Sequence, residues 1–213
     1  MAILKQRWAQ VGLLLWILTS LAGWMAVGGL ISIPGVSSAV EYIAFGFVIR
    51  WVDAQAAALT VSLVMGLMVG LFCGVLQWLL LRLRLPRAGW WILVCLLGFA
   101  LGWLTADLVT GTLNRIVATD RYWALTAALG WVVGGGLVGL AQWLVLRSRV
   151  SPAGWWIPTV ALSSAAAWPL ASLALRSVID GGIRAGLIFL GIVGLVTGIA
   201  TGVVLVLLLG REA

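Results

Sequence analysis

The sequence contains no histidine. That removes the side chain most often used to move protons at neutral pH, and the usual ligand of haem and of many zinc sites. A Ser-His-Asp or Cys-His catalytic site is impossible. Charge is also scarce: 9% of the 213 residues are charged, where a soluble domain carries roughly a quarter. With 63% hydrophobic residues, there is too little polar surface to face water. A soluble globular protein is excluded, and so is a disordered chain. There are only two cysteines, Cys73 and Cys95, and both lie inside apolar runs. They read as apolar packing, not as reactive thiols or a disulfide framework. No set of residues suggests a metal or a cofactor, and none is expected.

What the chain does have is long apolar runs. Six of them, near residues 10–33, 57–81, 90–111, 123–146, 155–175 and 185–209, each reach the roughly 20 residues needed to cross a ~30 Å hydrocarbon core. Period-2 alternation is missing, so a β-barrel is not supported. The first run is too long for a signal peptide and has no cleavage pattern behind it. The expected fold is all-α: a six-transmembrane-helix bundle forming a single integral membrane domain over 1–213.

Basic residues divide unequally between the two sides of such a bundle. Lys5, Arg7, Arg82, Arg84, Arg87, Arg147, Arg149 and Arg211 fall on the side of the termini and of the loops after the second and fourth runs. Arg50, Arg115, Arg121, Arg176 and Arg184 fall on the other, together with every acid except Glu212. The first side nets +7 and the second zero, which puts both termini in the cytoplasm by the positive-inside rule. The charges sit in short loops between apolar runs, so nucleic acid is not an expected partner. The longest connection, 34–56, lies on the outer side. Pro34-Gly35 ends the first helix there, and 39–50 reads as a short interfacial helix.

The chain repeats itself. QWLLLRLRLPRAGWWI at 77–92 returns as QWLVLRSRVSPAGWWI at 142–157. Gln77, Trp78, Gly89, Trp90 and Trp91 recur 65 positions later as Gln142, Trp143, Gly154, Trp155 and Trp156. Glycines 66, 70 and 74 of the second run correspond to 194, 198 and 202 of the sixth, and the fourth run carries Gly135 and Gly139. The first, third and fifth runs share a small residue before tryptophan: Gly23-Trp24, Gly102-Trp103 and Ala167-Trp168. The reading is three parallel helical hairpins in quasi-threefold arrangement, with units 1–56 (partial), 57–121, 122–184 and 185–213 (partial).

The repeated residues suggest roles. Gly66, Gly70, Gly74, Gly135, Gly139, Gly194, Gly198 and Gly202 let backbones approach, and the second, fourth and sixth runs are expected to pack inward on them. Gln77 and Gln142 need partners inside a membrane, and an interhelical hydrogen bond, between the two units for instance, would supply one. Trp78 and Arg82, like Trp143 and Arg147, are four apart and share a helix face, which suits a cation–π contact. Trp90-Trp91 and Trp155-Trp156 read as an aromatic belt at the membrane surface. Arg82, Arg84, Arg87, Arg147 and Arg149 form a basic rim able to seat anionic headgroups or an acidic partner. Asp107 lies close to the outer end of the third run, and a paired, interfacial surface charge is the expected reading, with a functional role the sharper alternative.

The Gln-Trp-Leu-x-Leu-Arg segment followed by Ala-Gly-Trp-Trp resembles a loose group of uncharacterised bacterial polytopic membrane proteins that repeat this signature. The resemblance covers about 57–209. It implies the fold and a location in the bacterial cytoplasmic (inner) membrane, and no activity. Mitochondrial carriers also have six helices in three repeats, but their Pro-acidic-basic signature is missing here. Two functions follow from the residues. One is a non-catalytic accessory or scaffold subunit of a larger membrane complex. The other is a small-solute transporter or an anionic-lipid-binding protein. A polar axis would favour transport, and a close-packed apolar axis would favour the scaffold.

Overall fold

The computed structural model describes residues 2–41, 54–83, 85, 88–117, 122–148, 150, 153–175 and 183–210. All regular structure among them is helical: α1 (Ala2–Ile31), α2 (Pro34–Glu41), α3 (Ala54–Leu81), α4 (Trp90–Val117), α5 (Trp123–Leu146), α6 (Trp156–Leu175) and α7 (Ile183–Gly210), with one 3-10 turn at Ala153–Trp155 ahead of α6. Six of these are long and apolar enough to cross a membrane, over Gln10–Ile31, Ala56–Leu81, Trp90–Val117, Trp123–Leu146, Ala153–Leu175 and Arg184–Leu209.

The spans agree with the apolar runs, with one clear extension. α4 continues to Val117, past the expected end at 111. Gly111 costs an α-helix about 1 kcal/mol but does not stop it. At 28 residues, α4 is about 42 Å long and exceeds the hydrocarbon core. The outer connection also differs. Pro34 does not simply end the first helix but opens α2, because proline suits a first helical position. The interfacial segment expected at 39–50 overlaps α2 only as far as Glu41, and its remainder lies outside the described residues.

Each long helix packs on the next in sequence, and α7 packs on α1, which closes a ring. The glycine stripes explain how the helices come so close, but their partners differ from the expectation. The stripes of α3, α5 and α7 do not face one another across the axis. Each lies against the following helix. A β-carbon at Gly66 would run into the carbonyl of Phe99, and one at Gly70 would lie 2.6 Å from the carbonyl oxygen of Cys95. At Gly74 it would lie 3.0 Å from Cys95 Cβ. On α5, Gly135 and Gly139 face Ser164 and Ile157 of α6 at 2.9 and 3.0 Å. On α7, Gly194, Gly198 and Gly202 face Trp24, Ser20 and Leu13 of α1, each at 2.9 Å. At Gly66 and Gly70, where the obstacle is backbone, nothing larger than hydrogen fits without parting α3 and α4.

With the glycines spent on neighbours, large side chains fill the ring. Two aromatic clusters do so, one behind the other. The first joins Trp16, Trp91 and Trp156 to the loop residues Leu85, Ala88, Val150 and Ala153, which turn inward and close that end. The second gathers Trp24, Trp103 and Trp131 near the far end. Phe99 packs against both. The outer surface is leucine-rich, as an integral membrane protein requires: Leu93, Leu97, Leu101 and Leu108 of α4 and Leu125, Leu129, Leu140 and Leu144 of α5 are all exposed at helical spacing.

Candidate functional site

The densest constellation lies at the end that holds both loops of the 65-residue match. Trp16, Trp91 and Trp156 come from α1, α4 and α6 and meet edge to face, with ring centroids 6.0, 6.0 and 6.1 Å apart. Such contacts contribute roughly 0.5–1.5 kcal/mol per pair beyond burial. The three are 2%, 0% and 0% exposed. The aromatic-belt reading is therefore half wrong. Trp90 and Trp155 do face outward, at 66% and 68% exposed. Trp91 and Trp156 face the axis. Adjacent helical residues are about 100° apart, and at these two positions that turn carries the second ring of each pair onto the inner face.

A buried indole N–H needs an acceptor, since leaving it unmet costs about 1–3 kcal/mol. Trp91 Nε1 donates to Gln77 Oε1 at 3.2 Å, and Trp156 Nε1 to Gln142 Oε1 at 2.9 Å. Each bond spans a loop. The amide nitrogens then reach the preceding odd-numbered span. Gln77 Nε2 donates to Ser20 Oγ at 3.1 Å, and Gln142 Nε2 to Cys95 Sγ at 3.3 Å. The glutamines thus bond across helices, as a buried amide should, although not to each other. Trp16 has no glutamine. The α7 position aligned with Gln77 is Leu205, which cannot accept. Trp16 Nε1 instead donates to Thr201 Oγ1 at 3.0 Å, one turn away.

Sequence reasoning did not single out Ser20 or Thr201, and read Cys95 as apolar packing alone. Ser20 and Cys95 each stand four residues after a buried tryptophan, and that spacing was the available signal. Cys95 is a hydrogen-bond acceptor as well as packing.

Below this layer, the guanidinium of Arg82 sits 5.1 Å from the ring centroid of Trp78, and that of Arg147 5.2 Å from Trp143. Both arginines are exposed. Arg84, Arg87 and Arg149 of the expected rim lie outside the described residues. Leu85 and Val150, one from each basic loop, belong to the same buried cluster. Gly89 and Gly154 are exposed with open space where a side chain would go, and nothing in the structure explains glycine there.

The far cluster behaves differently. Trp131 and Trp168 stack at 4.4 Å with planes 10° apart, and Trp103 meets both at 5.3 Å. The weaker small-residue-before-Trp match thus brings Trp24, Trp103 and Trp168 into one cluster. Trp168 Nε1 is buried without a hydrogen-bond partner. Its ring is in contact with the rings of Trp103, Trp131 and Phe189. Among the described residues, no three His, Cys, Asp or Glu side chains come together as metal ligands would.

Comparison with protein families, with curated proteins and with solved structures found no match.

Proposed function

We propose that this chain is a non-catalytic accessory or scaffold subunit of a larger complex in a bacterial inner membrane. The observation that carries the reading is the filled axis. Two aromatic clusters and inward-turned loop residues occupy the space a solute would need. Their polar atoms are largely engaged with one another, so among the described residues no row of free polar groups lines a path. The outer leucine-rich faces are the surfaces left for work.

The architecture belongs to the same proposal. Three parallel hairpins in quasi-threefold order are supported by the matched bonds Trp91–Gln77 and Trp156–Gln142 and by the three glycine stripes, each set against the next helix. The basic end, with both termini, lies in the cytoplasm on the charge count.

A second reading is anionic-lipid binding at the rim, favoured by the two exposed arginines held over tryptophan rings. Purification from native membrane in mild detergent, followed by native mass spectrometry, tests both. A stoichiometric protein partner supports the accessory subunit. A lone chain or homo-oligomer overturns it, and retained anionic lipid then favours the second reading.

A further inference from the structure

Asp107 stands out among the charges of the spans. Of the three charged residues within them, Arg184 opens the α7 span and Arg115 is two residues from the end of α4. Asp107 alone is far from an end: 17 positions after Trp90, or about 25 Å along the helix. Trp90 is exposed and suits an interface. A ~30 Å core measured from it leaves Asp107 inside the hydrocarbon. Helical side chains lean toward the helix N-terminus, so its carboxylate is directed away from the nearer surface. Aspartate is too short to snorkel back.

Its setting does not satisfy it. The residue is exposed on the bundle surface, beside exposed Leu108. Its one hydrogen-bond partner among the described residues is Ser62 of α3. The single Ser62 proton is also aimed at the carbonyl of Ala58. Acids in spans ordinarily face the interior and pair with a cation or a strong donor. This one faces out, from the seam of α3 and α4, on a helix whose exposed side is a leucine stripe.

We infer that the outer half of the α3–α4 face docks a transmembrane helix of a different protein, carrying a lysine or arginine at the depth of Asp107. A second copy of this chain does not fit, because Arg115 and Arg184 sit near span ends and, among the described residues, no span offers a cation at that depth. The inference rests on the accessory-subunit reading and names the face and the chemistry of the contact.

The test uses the full chain in its native membrane, with a photocrosslinking phenylalanine derivative at Leu108 and, separately, at Leu173, exposed on α6. The expected result is one discrete crosslink from Leu108 and none from Leu173, to a peptide with Lys or Arg inside an apolar stretch. Asp107→Asn, which keeps the shape and the Ser62 contact, lowers its yield about tenfold. Asp107→Lys combined with an acid at the partner cation restores it. A crosslink undiminished in Asp107→Asn, or a partner span without a cation, overturns the inference. So does a partner that co-purifies but crosslinks only elsewhere, which leaves the accessory reading standing. A chain with no partner at all overturns both.

Discussion

The amide oxygen of Gln77 accepts the indole N–H of Trp91 at 3.2 Å across the loop that joins their helices. The same amide donates to Ser20 on α1. One side chain therefore ties three helices at the depth where the aromatic rings meet. Gln77→Leu leaves the Trp91 donor unmet and removes the Ser20 contact. Its expected cost is about 1 kcal/mol, between the average interhelical bond and a fully orphaned donor. The double variant Gln77→Leu/Trp91→Phe removes both partners and should lose less than the two single losses summed. Thermal unfolding in detergent measures the cycle.

Trp168 supplies the contrast. Its indole nitrogen has no hydrogen-bond partner to lose. Trp168→Phe gives up ring volume and stacking but no hydrogen bond, and is expected to lower the melting temperature less than the same change at Trp156. Trp156→Phe, which orphans Gln142 Oε1, should lower it clearly. Equal losses would show that ring volume matters and the N–H does not.

Thr201 stands in for a missing glutamine. Thr201→Val is expected to destabilise by about 1 kcal/mol, because Trp16 loses its acceptor. Leu205→Gln in that background places an amide where the alignment with Gln77 and Gln142 asks for one, and should recover part of the loss. Recovery supports equivalence of the three hairpins. A further loss argues that the α7–α1 junction follows its own geometry.

Glycine positions divide into two classes. Gly70→Ala must push α3 and α4 apart, since its β-carbon would meet a backbone carbonyl at 2.6 Å. A loss of about 1–3 kcal/mol is expected. Gly111→Ala meets nothing within 4 Å and should be neutral or stabilising by up to about 1 kcal/mol. Melting temperatures of the two variants check the pair.

Lipid contact can be read by fluorescence. Trp90 and Trp155 are exposed where Trp91 and Trp156 are buried. In vesicles of lipid brominated on its acyl chains, the fraction of emission quenched should fall for Trp90→Phe/Trp155→Phe. It should not fall for Trp91→Phe/Trp156→Phe.

The spans were legible because twenty-odd consecutive apolar residues have few other uses. The cation–π pairs were legible too, because a four-residue spacing on one helix fixes a neighbour without reference to the rest of the fold. Partners on other helices were not. The stripe at Gly66, Gly70 and Gly74 says which face of α3 is thin but not which helix fills the gap, and α4 lies there instead of the axis. Trp91 looked like Trp90 because composition does not carry the 100° between them. Leu205 gave no hint that Thr201, a turn earlier, would serve Trp16.

The closure of α7 on α1 has a consequence for how the protein is made. Trp16 is made long before its acceptor, which follows 185 residues later. Until the last helix arrives, the aromatic triangle has one unmet donor and α1 lacks the glycine face of its neighbour. The ring completes only when α7 is in place, and a bundle without α7 exposes a defined polar fault at Trp16. That open seam alone distinguishes a bundle lacking α7 from the closed ring.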